Sequence, residues 1–231
     1  MTRIVELTLS SPVEGWGRLG IPLESSDSGA VATVGSVVLR VGPAGDGDRR
    51  GITGWVLSDE ASDEAEVAGR TAVLDEADWS GEIDGLPTRL APPHDTAAVA
   101  AAVASAGRSP YSRIDHVVVT TPSLERTCGA IEAATGEPLK RVRDAGPGIR
   151  QGFHRFGEVI VEVVERADLP ADALAKFWGL VLVVDGDLLD LCDALGPEVI
   201  GLPKPAVQKG RFIATVRGEL GLGLPVALMT A

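Results

Sequence analysis

Few side chains in this sequence carry chemistry, and two of them stand inside valine-rich runs. His116 lies in Ile114-Asp115-His116-Val117-Val118-Val119-Thr120, and Glu162 in Val159-Ile160-Val161-Glu162-Val163-Val164. Alternation along an extended chain puts His116, Val118 and Thr120 on one face, with Val117 and Val119 opposed. In the second run Ile160, Glu162 and Val164 share a face against Val159, Val161 and Val163. The all-valine faces are expected to meet a helix, leaving His116 and Glu162 to line the concave side of the sheet. An imidazole and a carboxylate brought together can move a proton or bind Zn, Fe, Mn, Co or Ni. A catalytic metal generally takes three protein ligands and keeps an open position. His154, in Gln151-Gly152-Phe153-His154-Arg155, is the candidate third; His94, in Pro92-Pro93-His94-Asp95, reads as a loop residue.

A second set of candidates would hold an anion. In the strand expected over 211 to 217, Phe212, Ala214 and Val216 form an apolar face, with Arg211, Thr215 and Arg217 opposite. A guanidinium offers a planar fork of donors to a carboxylate or phosphate. Arg211, Arg217, Gln208 and Gln151 are therefore the candidate substrate-binding residues. No P-loop, dinucleotide-binding glycine motif, elbow serine or HExxH occurs, so nucleotide hydrolysis and elbow-serine hydrolysis have no support. Cys128 and Cys192 lie in neither a CxxC nor a histidine cluster and are expected in the core.

The elements that position these residues recur. Segment 114 to 166 reads as strand, helix (123 to 135, closed by Gly136) and three strands, and segment 178 to 231 repeats that βαβββ order. The two helices align through Leu124 with Leu188 and Cys128 with Cys192. A third copy opens the chain: Ile4-Val5-Glu6 overlays Ile114-Asp115-His116, which puts Glu6 at the place of His116, and 35 to 41 overlays 157 to 163, which puts Arg40 at that of Glu162. The two are expected to pair across neighbouring strands. Between them Ser11, Pro12 and Glu14 supply a capping box for a short helix ended by Gly20. A fourth copy starts at 52 to 58, where Gly54-Trp55-Val56-Leu57 matches Gly179-Leu180-Val181-Leu182. There Gly85-Leu86-Pro87-Thr88 matches Gly201-Leu202-Pro203-Lys204, after which the copy stops. The expected organisation is an incomplete region over 1–92, an alanine-rich helical connector over 93–111 and a complete two-unit domain over 112–231. A further bridging helix is expected over 168 to 176.

Composition bounds the partners. The 231 residues are 45% apolar, enough for a real core, and the net charge of -12 repels a phosphate backbone. The 21 lysines and arginines form no run, so nucleic acid is an unexpected partner and a small molecule the expected one. The longest apolar stretch, 177 to 184, falls well short of the roughly 20 residues that span a bilayer. Without a leader-like start, the expectation is a soluble, cytoplasmic protein with reduced cysteines.

A tandem of βαβββ units, one opening Ile-Asp-His-Val-Val-Val and closing Val-Ile-Val-Glu-Val-Val, the next opening Phe-Trp-Gly-Leu, resembles the vicinal-oxygen-chelate superfamily. Glyoxalase I, extradiol dioxygenases, and fosfomycin- and bleomycin-resistance proteins belong there. The resemblance covers 112 to 231 by motif and 1 to 92 by architecture. It implies an α+β fold in which tandem units form a cup-shaped mixed sheet with helices outside. It also implies a homodimer and one divalent metal held by first- and fourth-strand residues, here His116 and Glu162, with His154 as the further candidate. The corresponding positions of the last unit are Gly179 or Leu180 and Ala227, none of which binds metal. Three functions follow: a glyoxalase- or dioxygenase-like lyase, isomerase or oxygenase with His116 and Glu162 catalytic; a metal-free binding protein of the bleomycin-resistance kind; or a structural or regulatory module.

Overall fold

Runs of β-branched residues become strands, and glycines at positive φ turn them. The structure, a computed structural model, describes residues 1–26, 29–43, 50–59, 80–91 and 109–231. The N-terminal part runs β1 (Thr2–Ser10), α1 (Val13–Arg18), β2 (Glu24–Ser26), β3 (Gly29–Val34), β4 (Val37–Gly42), β5 (Gly51–Asp59), β6 (Ser80–Ile83) and β7 (Leu86–Leu90). The C-terminal part opens with β8 (Tyr111–Thr121), α2 (Leu124–Thr135), β9 (Arg141–Gly146), β10 (Ile149–Phe156) and β11 (Val159–Arg166). It ends with β12 (Lys176–Val184), α3 (Leu188–Leu195), β13 (Lys204–Pro205), β14 (Phe212–Thr215) and β15 (Val226–Met229).

Two mixed sheets result, ordered β2-β3-β4-β1-β5-β7-β6 and β13-β14-β15-β12-β8-β11-β10-β9. In every unit the first strand pairs in parallel with the last: β1 with β4, β5 with β7, β8 with β11 and β12 with β15. The first strands of paired units then join antiparallel, β1 to β5 and β8 to β12. This is the tandem βαβββ architecture of an α+β protein.

A bulge recurs in all four first strands. The ladder skips Val5, Thr53, Asp115 and Trp178, each one residue before Glu6, Gly54, His116 and Gly179. A bulge leaves one residue unpaired and re-aims its side chain, so strict alternation fails there.

The helices pack as their apolar faces require. Ser123 caps α2 by accepting from the Arg126 amide at 3.3 Å, and Gly136 closes it at φ 72°. Asp187 caps α3 through the Leu189 and Asp190 amides. Cys128 and Cys192 are buried, and burial pushes the Cys128 thiol up to about 12, that of an inert packing residue. Both sheets contribute to one core, in which Trp55 lies 5.7 Å from Phe156 and 5.1 Å from Phe177, ring centre to ring centre.

Three local expectations are corrected. Ser11 does not cap α1: its hydroxyl donates to the Leu222 carbonyl at 2.6 Å and accepts from the Trp16 indole, joining the two halves, and Pro12 takes the cap position. Residues 168 to 175 form turns and irregular chain before β12 opens at Lys176, with the Ala175 amide on the Asp84 carbonyl at 2.9 Å. Gly85, at φ 88°, turns the β6–β7 hairpin, so β6 and β7 are the third and fourth strands of their unit. Its counterpart is Gly157, not Gly201; a four-residue match carried too little information against the parallel pairing. The expected helical connector lies outside the described residues, as does His94.

Candidate functional site

The parallel register of β8 and β11 sets His116 opposite Ile160 and Val118 opposite Glu162. His116 and Glu162 therefore stand on one face, diagonal to each other, as alternation requires. The bulge adds a neighbour. Asp115 Oδ2 lies 2.6 Å from His116 Nδ1, a bent contact that leaves both buried atoms without an aligned hydrogen-bond partner. Asp115 is also reached by Arg211 Nη2 at 3.0 Å and by Arg113 at 3.4 Å. Burial alone would raise its carboxyl, but His116 and Arg211 beside it outweigh that and hold it at about 2.

Glu162 is held from the other side. Gln151 Nε2 donates to Glu162 Oε1 at 2.6 Å, and Arg143 Nε donates to Gln151 Oε1 at 2.6 Å, so a guanidinium, an amide and a carboxyl form one chain. The Arg143 guanidinium also lies over the Phe153 ring, 5.5 Å from its centre. Burial pushes the Glu162 carboxyl above the usual range, opposed by the nearby His116 and Arg143.

These groups face a cavity of about 700 Å³. Its wall carries Lys140, Arg141, Arg143, Arg155 and Lys204 against the single carboxyl of Glu162. Among the described residues none of those five basic side chains is paired with an acid, whereas Arg40, Arg113, Arg126, Arg150, Arg166 and Arg211 all are. In a chain of net charge -12, five unpaired cations around one cavity focus positive potential there.

Of the residues anticipated for the site, His116, Glu162, Gln151 and Gln208 line this cavity, and the buried His154 touches its wall from the helix side. Arg211 does not offer its fork to a ligand. Its donors go to Asp115, to the Thr230 carbonyl at 2.8 and 2.6 Å, and to Gln208, so it braces the site from behind. Arg217 is exposed and bonds the Pro197 carbonyl at 3.1 Å, because the strand has ended before it. His154 is corrected as a third ligand. It pairs with Val161, on the face that meets α2, and its Nδ1 sits 3.0 Å from the Glu137 carbonyl, while burial lowers its pKa. The neighbouring Gly152 confirms that face: a Cβ there would approach Cys128 and Leu124 to 3.0 Å.

The donors do not fit a catalytic metal. The local twofold relating β8 to β12 carries His116 onto Gly179 and Glu162 onto Ala227, and neither has a donor side chain. Glu162 Oε1 is already engaged by Gln151, and among the described residues no three His, Cys, Asp or Glu side chains converge to hold an ion. Sequence reasoning missed Asp115, because the bulge suspends alternation, and missed the five cations, because the Lys140-Arg141-Val142-Arg143 stretch meets Arg155 of β10 and Lys204 of β13 only in the fold.

The N-terminal sheet supplies a matched contrast. Glu6 and Arg40 occupy the equivalent diagonal and close on each other, Arg40 Nε and Nη2 donating to the two carboxylate oxygens at 2.9 and 2.8 Å.

No protein-family model matches the chain, and no curated protein matches it. Among solved structures, a variant of 4-hydroxymandelate synthase from Streptomyces coelicolor matches with a TM-score of 0.65 at 19% identity, over 99% of this chain and 92% of that one. Methylmalonyl-CoA epimerase from Mycobacterium tuberculosis matches at 0.44 and 16%, over 54% of this chain and 91% of the other. A methylmalonyl-CoA epimerase variant from Streptomyces coelicolor, in complex with 2-nitronate-propionyl-CoA, matches at 0.41 and 16%, over 52% and 98%. The full-length match is a likeness of fold, the vicinal-oxygen-chelate fold.

Proposed function

We propose that this chain of vicinal-oxygen-chelate fold binds a small organic anion in its C-terminal cup, without a metal. The observation that carries this is the set of five basic side chains, none with an acidic partner among the described residues, around a cavity whose described lining holds one acid, Glu162. Unpaired cations focused in a partly enclosed cavity attract a carboxylate or phosphate more strongly than they would on an open surface. Arg143 is the best placed, fixed by Gln151 and Phe153 while its terminal nitrogens keep no protein partner among the described residues. Gln208 and Gln151 add neutral polar groups that orient rather than attract.

The experiment is calorimetric titration of tag-free protein with small carboxylates and phosphate monoesters, with and without chelator. Saturable binding that survives chelation and weakens by more than about tenfold in Lys140→Ala with Arg143→Ala is expected, since each lost charged hydrogen bond is worth roughly 1.5 to 3 kcal/mol. Binding that disappears with the chelator, or is indifferent to both substitutions, overturns it.

Proton transfer on the bound anion is a second reading, favoured by the contact of Asp115 with His116. A carboxylate at Nδ1 orients the ring and leaves Nε2 as the nitrogen that can take a proton. Glu162, on the same face of the cavity, is the second titratable group within reach of the bound anion. Exchange of the α-hydrogen of a bound acid with deuterated solvent, lost in His116→Ala, would establish it; unchanged exchange in that variant would rule it out.

A further inference from the structure

A second chamber of about 830 Å³ lies beyond Glu162, sharing Gln151, Glu162, Val181 and Ile213 with the basic one. Its character is opposite. Val118, Val164, Val181, Ile213, Ala227 and Trp178 supply apolar wall, and Thr120, Thr215 and the shared Gln151 are its uncharged polar side chains. Besides Glu162 its charged lining residues are Arg166 and Asp168, which bind each other at 3.0 and 2.6 Å at the exposed rim. The bulge of β12 leaves Trp178 out of the ladder, and its indole is about half exposed at 48%. An exposed tryptophan on a concave apolar wall is a contact surface, here without a ring partner among the described residues.

Either chamber alone has the volume of a pocket for a drug-sized ligand. A ligand confined to the cationic side would leave the apolar walls in water. We infer that the ligand of this cup is an amphiphilic acid: an anionic head among Lys140, Arg141 and Arg143, and an unbranched or aromatic apolar group passing the Gln151–Glu162 waist to lie against Val118, Ala227 and Trp178. This rests on the anion-binding function proposed above and adds the class of ligand. At the waist Gln151 and Glu162 bond to each other, so the segment that crosses there passes an amide and a carboxyl already joined.

The test uses the unmodified protein and straight-chain carboxylates from butanoate to decanoate, titrated by calorimetry. Affinity is expected to rise by about fourfold for each methylene that enters the apolar chamber, then level off when it is full. Ala227→Phe fills that chamber and should flatten the dependence on chain length. Because that substitution sits in the sheet, a carboxylate brominated at its far end serves as an independent probe. It should quench tryptophan emission, and Trp178→Phe should remove the quenching. Butanoate and decanoate binding equally well, or no quenching from Trp178, overturns the amphiphile while leaving the anion cup standing. Absence of binding by every member of the series overturns both.

Discussion

The two sheets of this protein place different residues on the same diagonal. In the N-terminal sheet Glu6 and Arg40 meet as a bidentate ion pair and satisfy each other. In the C-terminal sheet His116 and Glu162 hold the same places, and neither satisfies the other: His116 leans on Asp115, and Glu162 takes its hydrogen bond from Gln151. The bulged position differs as well, Val5 in one half and Asp115 in the other. One scaffold can thus carry a pair that closes on itself and a pair that remains available, and the second lies beside the unpaired cations. Function is to be sought where the fold leaves charge unanswered.

Breaking the bulged acid should show the contrast most strongly. Asp115→Ala removes the buried carboxylate that Arg211, Arg113 and His116 share, and a loss of about 3 kcal/mol in denaturant melts is expected. Acid sharpens the same point. The Asp115 carboxyl falls from its ordinary 3.8 to about 2 in the fold, so its contribution is full above 3.8 and is lost as pH drops through about 2. That loss is roughly 2 kcal/mol, and Asp115→Asn should flatten the acid limb of stability against pH. The N-terminal pair is partly exposed, its side chains 33% and 12% accessible. A double-mutant cycle with Glu6→Ala and Arg40→Ala should give a coupling of about 1 to 2 kcal/mol, with ligand affinity in the other cup untouched.

Glu162 has the smallest effect and the opposite sign. Its carboxyl is raised in the fold, so the folded state holds its proton longer than the unfolded chain does. Stability therefore declines as pH rises from the ordinary 4.5 through the raised value. Glu162→Gln should remove that decline and change neutral-pH stability by no more than about 1 kcal/mol, measured by melts across the carboxylate range.

Much of this was legible in the chain. Alternation in the runs around His116 and Glu162 set both on one concave face, and the overlay of Ile4-Val5-Glu6 on Ile114-Asp115-His116 placed the Glu6–Arg40 pair. Where the pattern was locally broken, it misled. Asp115 precedes His116 and by alternation points away, but the bulge turns it alongside. Gln151-Gly152-Phe153-His154-Arg155 has no apolar periodicity, so nothing told that His154 faces α2 until its register with Val161 was known. Parity in the strand over 211 to 217 does not say which face is concave, and the Thr230 carbonyl and Asp115 that engage the Arg211 donors lie far away in sequence. The cations of 140, 141 and 143 are close in sequence, but 155 and 204 join them only when β9, β10 and β13 ring one cavity.

The most direct test of which cup binds is residue-resolved NMR of the labelled protein titrated with hexanoate. Saturable amide shifts are expected at His116, Arg143, Gln151 and Glu162, with Glu6, Thr8 and Arg40 unmoved. Shifts confined to β1 and β4, or shifts that never saturate, would contradict an anion site in the C-terminal cup.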